Sequence, residues 1–244
     1  MIPIEMKNHV IKQFKNGPEH EQELVRLFFE NRPDGFYVDV GANEPIIQSQ
    51  TYHLEQLGWK GLLVEPIPGY CELLERSRSG TVIQCACSSP ENEGKELQLS
   101  LAEGHSTLND KPIARGESVN HDHIFVTCKT LDSILEENHV KQNFEFISID
   151  IEGHEMEMFK GFSLRHWKPQ LVLLEDHVLN HEKHRHMTQN GYSLIMRTGL
   201  NSWYVPAERN FKLSGTALVQ YFRRVIGSKL AYRGFFRNIL SRVL

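Results

Sequence analysis

Short apolar runs alternate along the chain with stretches whose apolar residues recur at helical spacing. The runs at 36–40, 61–65, 81–86, 144–150 and 170–175 are of strand length, with turn formers or charges at their ends. Runs of this kind predict strands covered on both faces. Between them the pattern predicts helices over 19–31, 48–57, 69–78, 131–138, 154–161 and 178–190. Pro33-Asp34-Gly35 is a turn signal, Gly58 ends the second helix, and Pro68 precedes the third. Residues 88–123 are polar and rich in turn formers, with one strand candidate at 96–101. A further strand is expected at 124–130, and a hairpin-like pair at 192–197 and 202–206. The alternation predicts an α/β fold: a mostly parallel sheet with helices on both faces, joined by right-handed crossovers.

In such sheets a ligand lies beyond the carboxyl ends of the strands, where the strand order reverses. The residues ending each strand are therefore the first candidates. Asp39, Gly41 and Asn43 follow the first run, Glu65 ends the second, Asp150 the fourth and Glu175 the fifth. Gly41 permits a sharp turn and is expected to let a ligand approach the backbone. Glu65 stands 24 residues beyond Gly41, where a carboxylate can accept both ribose hydroxyl protons. The segment is not a GxGxxG motif, so it favours a nucleoside without a pyrophosphate. The absence of that motif, and of a Tyr-x-x-x-Lys catalytic pair, argues against a nicotinamide-dependent oxidoreductase.

The block Gly35-Phe36-Tyr37-Val38-Asp39-Val40-Gly41-Ala42-Asn43-Glu44-Pro45 opens a longer pattern. It continues through Ser49-Gln50-Thr51, Leu57-Gly58-Trp59-Lys60-Gly61-Leu62-Leu63-Val64-Glu65-Pro66 and Thr130-Leu131-Asp132-Ser133-Ile134-Leu135. It ends with Ile147-Ser148-Ile149-Asp150-Ile151-Glu152-Gly153-His154-Glu155. From about residue 13 to 206 the chain resembles the FkbM family of S-adenosylmethionine-dependent methyltransferases. The resemblance implies a seven-stranded class I methyltransferase (Rossmann-like) fold. It also implies O-methylation, often of sugars in surface polysaccharides, glycolipids or natural products. It sets Asp39, Gly41 and Ala42 beside the methionine end of S-adenosyl-L-methionine with the cofactor-binding Asn43 following, Glu65 on the ribose, Ala86 near the adenine, and Asp150 in the DxEG block Asp150-Ile151-Glu152-Gly153. Gln48 departs from the family, where many relatives carry Asp.

Methyl transfer asks the protein to align a hydroxyl with the S–CH₃ bond and to accept its proton. The expected catalytic candidates at the rim are Glu152, His154, Glu175 and His177. Asp150 is assigned to the cofactor. His177 and His181 have a metal-compatible spacing, but the stretch 177–186 reads as a solvated helix face. Asp150 and Glu175 offer hard oxygens to a divalent cation; no metal site is assigned. The insertion at 88–123 is a lid or acceptor-loop candidate. Trp203 is either a sugar-stacking residue or a core aromatic.

Composition narrows the picture. Apolar residues at 40% and charged residues at 24% are ordinary for a globular domain. No apolar run reaches spanning length and the first residues lack a secretory apolar segment. Cys71, Cys85, Cys87 and Cys128 have no CxxC spacing, so a cytoplasmic protein is expected. The net charge of −4 hides a split: residues 1–208 hold 19 basic against 31 acidic residues, and residues 209–244 hold eight basic and no acidic residues. The expected organisation is a methyltransferase domain at 1–208 and a basic amphipathic tail at 209–244. The acidic body disfavours nucleic acid, and the tail suits peripheral contact with an anionic membrane at its inner face. The expected acceptor is a sugar or glycan. A non-catalytic cofactor-binding or glycosyltransferase-partner role is the rival.

Overall fold

The computed structural model describes residues 19–101, 123–176 and 181–209. In chain order these form α1 (Glu19–Phe28), β1 (Phe36–Val40), α2 (Tyr52–Glu55), β2 (Lys60–Glu65), α3 (Pro68–Ser77), β3 (Thr81–Gln84), β4 (Ala86–Cys87), β5 (Glu96–Ser100) and β6 (His123–Lys129). There follow α4 (Leu131–Glu137), β7 (Phe146–Ile149), α5 (Glu155–Met158), α6 (Leu164–Trp167), β8 (Leu171–Glu175), α7 (His181–Gln189), β9 (Tyr192–Thr198) and β10 (Asn201–Pro206).

The main sheet has seven strands in the order β3-β2-β1-β7-β8-β10-β9. The first five are parallel, and β10 runs antiparallel to both neighbours. This is the seven-stranded class I methyltransferase arrangement implied by the resemblance. The order reverses at β1, which lies between β2 and β7.

Side-chain alternation sorts the strands into two cores. Val38, Val40, Leu62, Val64, Ile147, Ile149, Val172 and Leu174 pack with Leu131, Ile134, Met158, Trp167 and Met187. Tyr37, Leu63, Phe146, Leu171 and Leu173 pack on the other face with Leu24, Val25, Leu54 and Leu74. Each such fully buried side chain contributes about 1.5–3 kcal/mol, which holds the polar strand ends in place. By the same alternation Asp39, Glu65, Ser148 and Glu175 fall on the second face, and Asp39 and Ser148 are partners in register.

Two expectations are corrected, and one open choice, at Trp203, is resolved. The strand expected at 81–86 ends at Gln84, and Ala86–Cys87 pairs instead with β6 in a separate three-stranded sheet, β4-β6-β5. The helix expected over 48–57 is one turn, Tyr52–Glu55. Glu44 Oε2 accepts the N–H groups of Ile46 (2.9 Å) and Ile47 (2.5 Å), and Ser49 Oγ accepts that of Tyr52 (3.1 Å). These bonds offer the backbone an alternative to the helix. Trp203 is fully buried, and its Nε1–H donates to Thr198 Oγ1 at 2.7 Å, so it is a core aromatic.

Candidate active site

The three central strand ends are joined by backbone bonds. The N–H groups of Gly41 and Ala42 donate to Val64 O at 2.9 and 3.2 Å, and that of Asp150 donates to Val40 O at 3.0 Å. Gly41 has φ +86°, and a Cβ there would lie 1.9 Å from the Asp150 carbonyl oxygen. The glycine therefore makes room for the end of β7. The sharp turn is as expected, and the same residue borders the cavity described below.

Asn43 also adopts a positive φ, +46°. That turn directs its N–H to Glu65 Oε2 at 2.9 Å, while Ile67 N–H donates to Glu65 Oε1 at 2.9 Å. Each carboxylate oxygen is thus fixed by one amide and retains further acceptor capacity. Burial pushes the Glu65 carboxyl up to about 7, against the pull of the two amides and with a smaller push from the Asp39 charge. Asp39 is buried beside it, and Thr51 Oγ1 donates to its Oδ2 at 2.6 Å. Burial raises the Asp39 carboxyl as well.

Every residue expected at the cofactor, namely Asp39, Gly41, Ala42, Asn43, Glu65, Ala86 and Asp150, lines one cavity of about 340 Å³. Glu152, His154 and Glu175 line it too. His177 lies outside the described residues, as do the part of the insertion at 102–122 and the tail from 210. A volume of this size is within the range of small-ligand sites. Tyr70, from the first turns of α3, and Leu99 of β5 add walls that the strand-end argument did not supply.

Arg78 escaped the sequence reading. Its neighbour Arg76 is exposed and pairs with Glu72, but Arg78 is buried. It donates to Pro45 O (3.0 Å), Ser49 Oγ (2.9 Å), Thr51 Oγ1 (2.8 Å) and Glu55 Oε1 (3.0 Å). Five planar donors suit such a hub. The guanidinium thereby holds the 45–51 wall and, through Thr51, Asp39. Nothing in Arg76-Ser77-Arg78 separates the two arginines before the fold brings their partners together.

At the other side of the cavity Asp150, Glu152 and Glu175 each place a carboxylate oxygen within 4.8 Å of the others. Asp150 opens to the cavity yet is encircled by protein. Burial, then the charges of Glu175 and Glu152, push its carboxyl well above the usual range. Three carboxylates so close repel one another, so the cluster attracts a proton or a hard divalent cation. Below it, Lys183 of α7 pairs with Glu155 Oε2 at 2.8 Å and donates to Glu175 O at 2.8 Å, with both charged side chains buried. Glu155 is therefore an anchor in an ion pair and not a surface acid at a helix start.

His154 is buried, and its Nε2 lies 3.0 Å from Ser88 Oγ. Asn92 Nδ2 donates to the same hydroxyl at 2.9 Å. Nε2 is thus engaged by the Ser88 hydroxyl, while Nδ1 is buried with no protein partner among the described residues. Burial lowers the imidazole's basicity and keeps it neutral. The helix after β8 is not the solvated face expected. His184 Nδ1 lies 3.0 Å from Tyr204 Oη, and His186 stacks on Phe159 with centroids 4.5 Å apart.

The chain matches the model of the Methyltransferase FkbM domain over residues 39–194. It belongs to the FkbM methyltransferase family and is a methyltransferase. No curated protein matches it. Among solved structures it is similar to a precorrin-6y C5,15-methyltransferase from Geobacter metallireducens GS-15. That similarity is 11% in identity over 77% of this chain and 84% of the other, with a TM-score of 0.41. Among the described residues no helix is long and apolar enough to cross a membrane.

Proposed function

We propose that the protein transfers the methyl group of S-adenosyl-L-methionine to a hydroxyl of a sugar or glycan. The observation that supports this most is Glu65, fixed by two backbone amides inside the cavity with acceptor capacity to spare. A ribose diol supplies the two hydroxyl donors such a carboxylate takes. Asp39, Gly41, Ala42 and Asn43 form the floor towards the amino-acid end, and Ala86 lies at the adenine side. S-adenosyl-L-methionine supplies an activated methyl group.

The carboxylates of Asp150, Glu152 and Glu175 surround the place where an acceptor hydroxyl would meet that methyl group. In this reading Glu152 or Glu175 accepts the hydroxyl proton, and Asp150 keeps the donor and the cluster in register. His154 takes a different part from the base expected of it: its Nε2 is engaged by Ser88, and the buried ring braces the wall of the cavity. The oxygen set also suits Mg²⁺ or a similar cation, held by the same three carboxylates.

The test is transfer of label from methyl-labelled S-adenosyl-L-methionine to a panel of nucleotide sugars and lipid-linked glycans, with the products' alkali stability recorded. An alkali-stable methyl ether on one acceptor is expected. Transfer only to nitrogen or carbon acceptors, or binding of the donor without transfer to any acceptor class, would overturn the reading in favour of another target or a non-catalytic role.

A further inference from the structure

We infer that Glu21 is a positioning residue for the methyl-donor site, a carboxylate in α1 that clamps together two walls of the cavity. It lies outside the residues matched by the family. The clamp serves that purpose only if the cavity binds the donor as read above.

Glu21 is 6% exposed. Its Oε2 accepts from Gln50 Nε2 at 3.0 Å and from Asn201 Nδ2 at 2.8 Å, and its Oε1 accepts the Thr198 hydroxyl. Gln50 belongs to the wall that Arg78 holds from behind. Thr198 and Asn201 flank the turn between β9 and β10, whose Leu200 lines the cavity, as Gln50 itself does. Two loops far apart in sequence thus share one oxygen atom. The neighbouring Gln22 Nε2 donates to Ser49 O at 2.6 Å and ties the same helix to the same wall.

A buried carboxylate is costly to the fold, and burial raises the Glu21 carboxyl even against these hydrogen bonds. An apolar residue in α1 would pack beside Trp203 at less cost. What only the carboxylate provides is three acceptor bonds that fix the separation of the two walls. Bonds to a charged group are the strong kind, and loss of one wall's position is felt by any ligand that spans the cavity.

Calorimetry with S-adenosyl-L-homocysteine, combined with amide hydrogen exchange, tests the clamp. Glu21→Ala should weaken binding about tenfold and speed exchange at 46–52 and 198–201. Glu21→Gln, which keeps an acceptor oxygen, should stay within about threefold of wild type, and Asn201→Ala should lose about threefold. Glu145→Ala serves as the control. Glu145 accepts from Phe36 N–H (2.9 Å) and Arg32 (3.2 Å) at the amino-terminal ends of β1 and β7, away from the cavity, so its loss should lower the melting midpoint without changing affinity. Wild-type affinity in both Glu21→Ala and Asn201→Ala, or a loss no greater than that of Glu145→Ala, would overturn the inference. Should the wild type not bind the probe, the donor reading itself fails and the inference with it, whereas unchanged exchange in Glu21→Ala overturns the clamp alone.

Discussion

Gly41→Ala is expected to reduce donor binding by at least about a hundredfold and to destabilise the fold by about 2–4 kcal/mol. The new Cβ would stand 1.9 Å from the Asp150 carbonyl oxygen, at a backbone φ of +86° that an alanine rarely adopts. Relief requires β1 and β7 to part, and that movement breaks the bond from Asp150 N–H to Val40 O. Asp39, Glu65 and the carboxylate cluster would then lose their common frame. In thermal unfolding the loss corresponds to a midpoint lower by roughly 8 °C for a domain of this size. A variant that binds S-adenosyl-L-homocysteine with wild-type affinity would show that the turn does not set the cavity.

The second large effect concerns the base. Of Glu152→Gln and Glu175→Gln, at least one should lower turnover by about 10²–10⁴-fold, the range for loss of a general base. Glu152→Gln and Glu175→Gln should leave donor affinity within about threefold, whereas Asp150→Asn should weaken both. These near-isosteric changes also remove a negative charge from a cluster in which the carboxylates repel. Glu175→Gln should therefore melt no lower than the wild type, a separation of activity from stability expected where a strained site serves chemistry. Turnover within twofold of wild type in both Glu152→Gln and Glu175→Gln would exclude the cluster as proton acceptor.

The central strands and the residues that end them were legible because a strand buried on both faces leaves a plain apolar run. Asp39, Glu65, Asp150 and Glu175 each break such a run, and all of them reach one cavity. Less legible were features decided by partners distant in sequence. Arg78 and Arg76 are two residues apart, yet one is buried and the other exposed. Ala86 and Cys87 continue an apolar run, but their backbone partners are Cys128 and Lys129 in another sheet. The one-turn α2 yields a helix-like spacing, and only the capping of backbone N–H groups by Glu44 and Ser49 shows why it stops short. Glu21 reads as an ordinary acid in an amphipathic helix until Thr198 and Asn201 close on it.

We propose that Glu65 receives the donor's ribose. Its carboxyl, raised to about 7 by burial, also fixes the sign of two pH effects. A carboxyl raised in the folded state stabilises the empty protein at lower pH, so stability should fall by about 1 kcal/mol between pH 6 and pH 8. A ribose that needs the ionised form reverses this for binding, which should strengthen about tenfold over the same interval. The direct measurement is calorimetric titration of S-adenosyl-L-homocysteine into the wild type and Glu65→Ala at both pH values. The expected result is affinity in the wild type that rises with pH, and in the variant at pH 8 an affinity lower by about tenfold or more with little pH dependence. Equal affinity in the two proteins at pH 8 would contradict it.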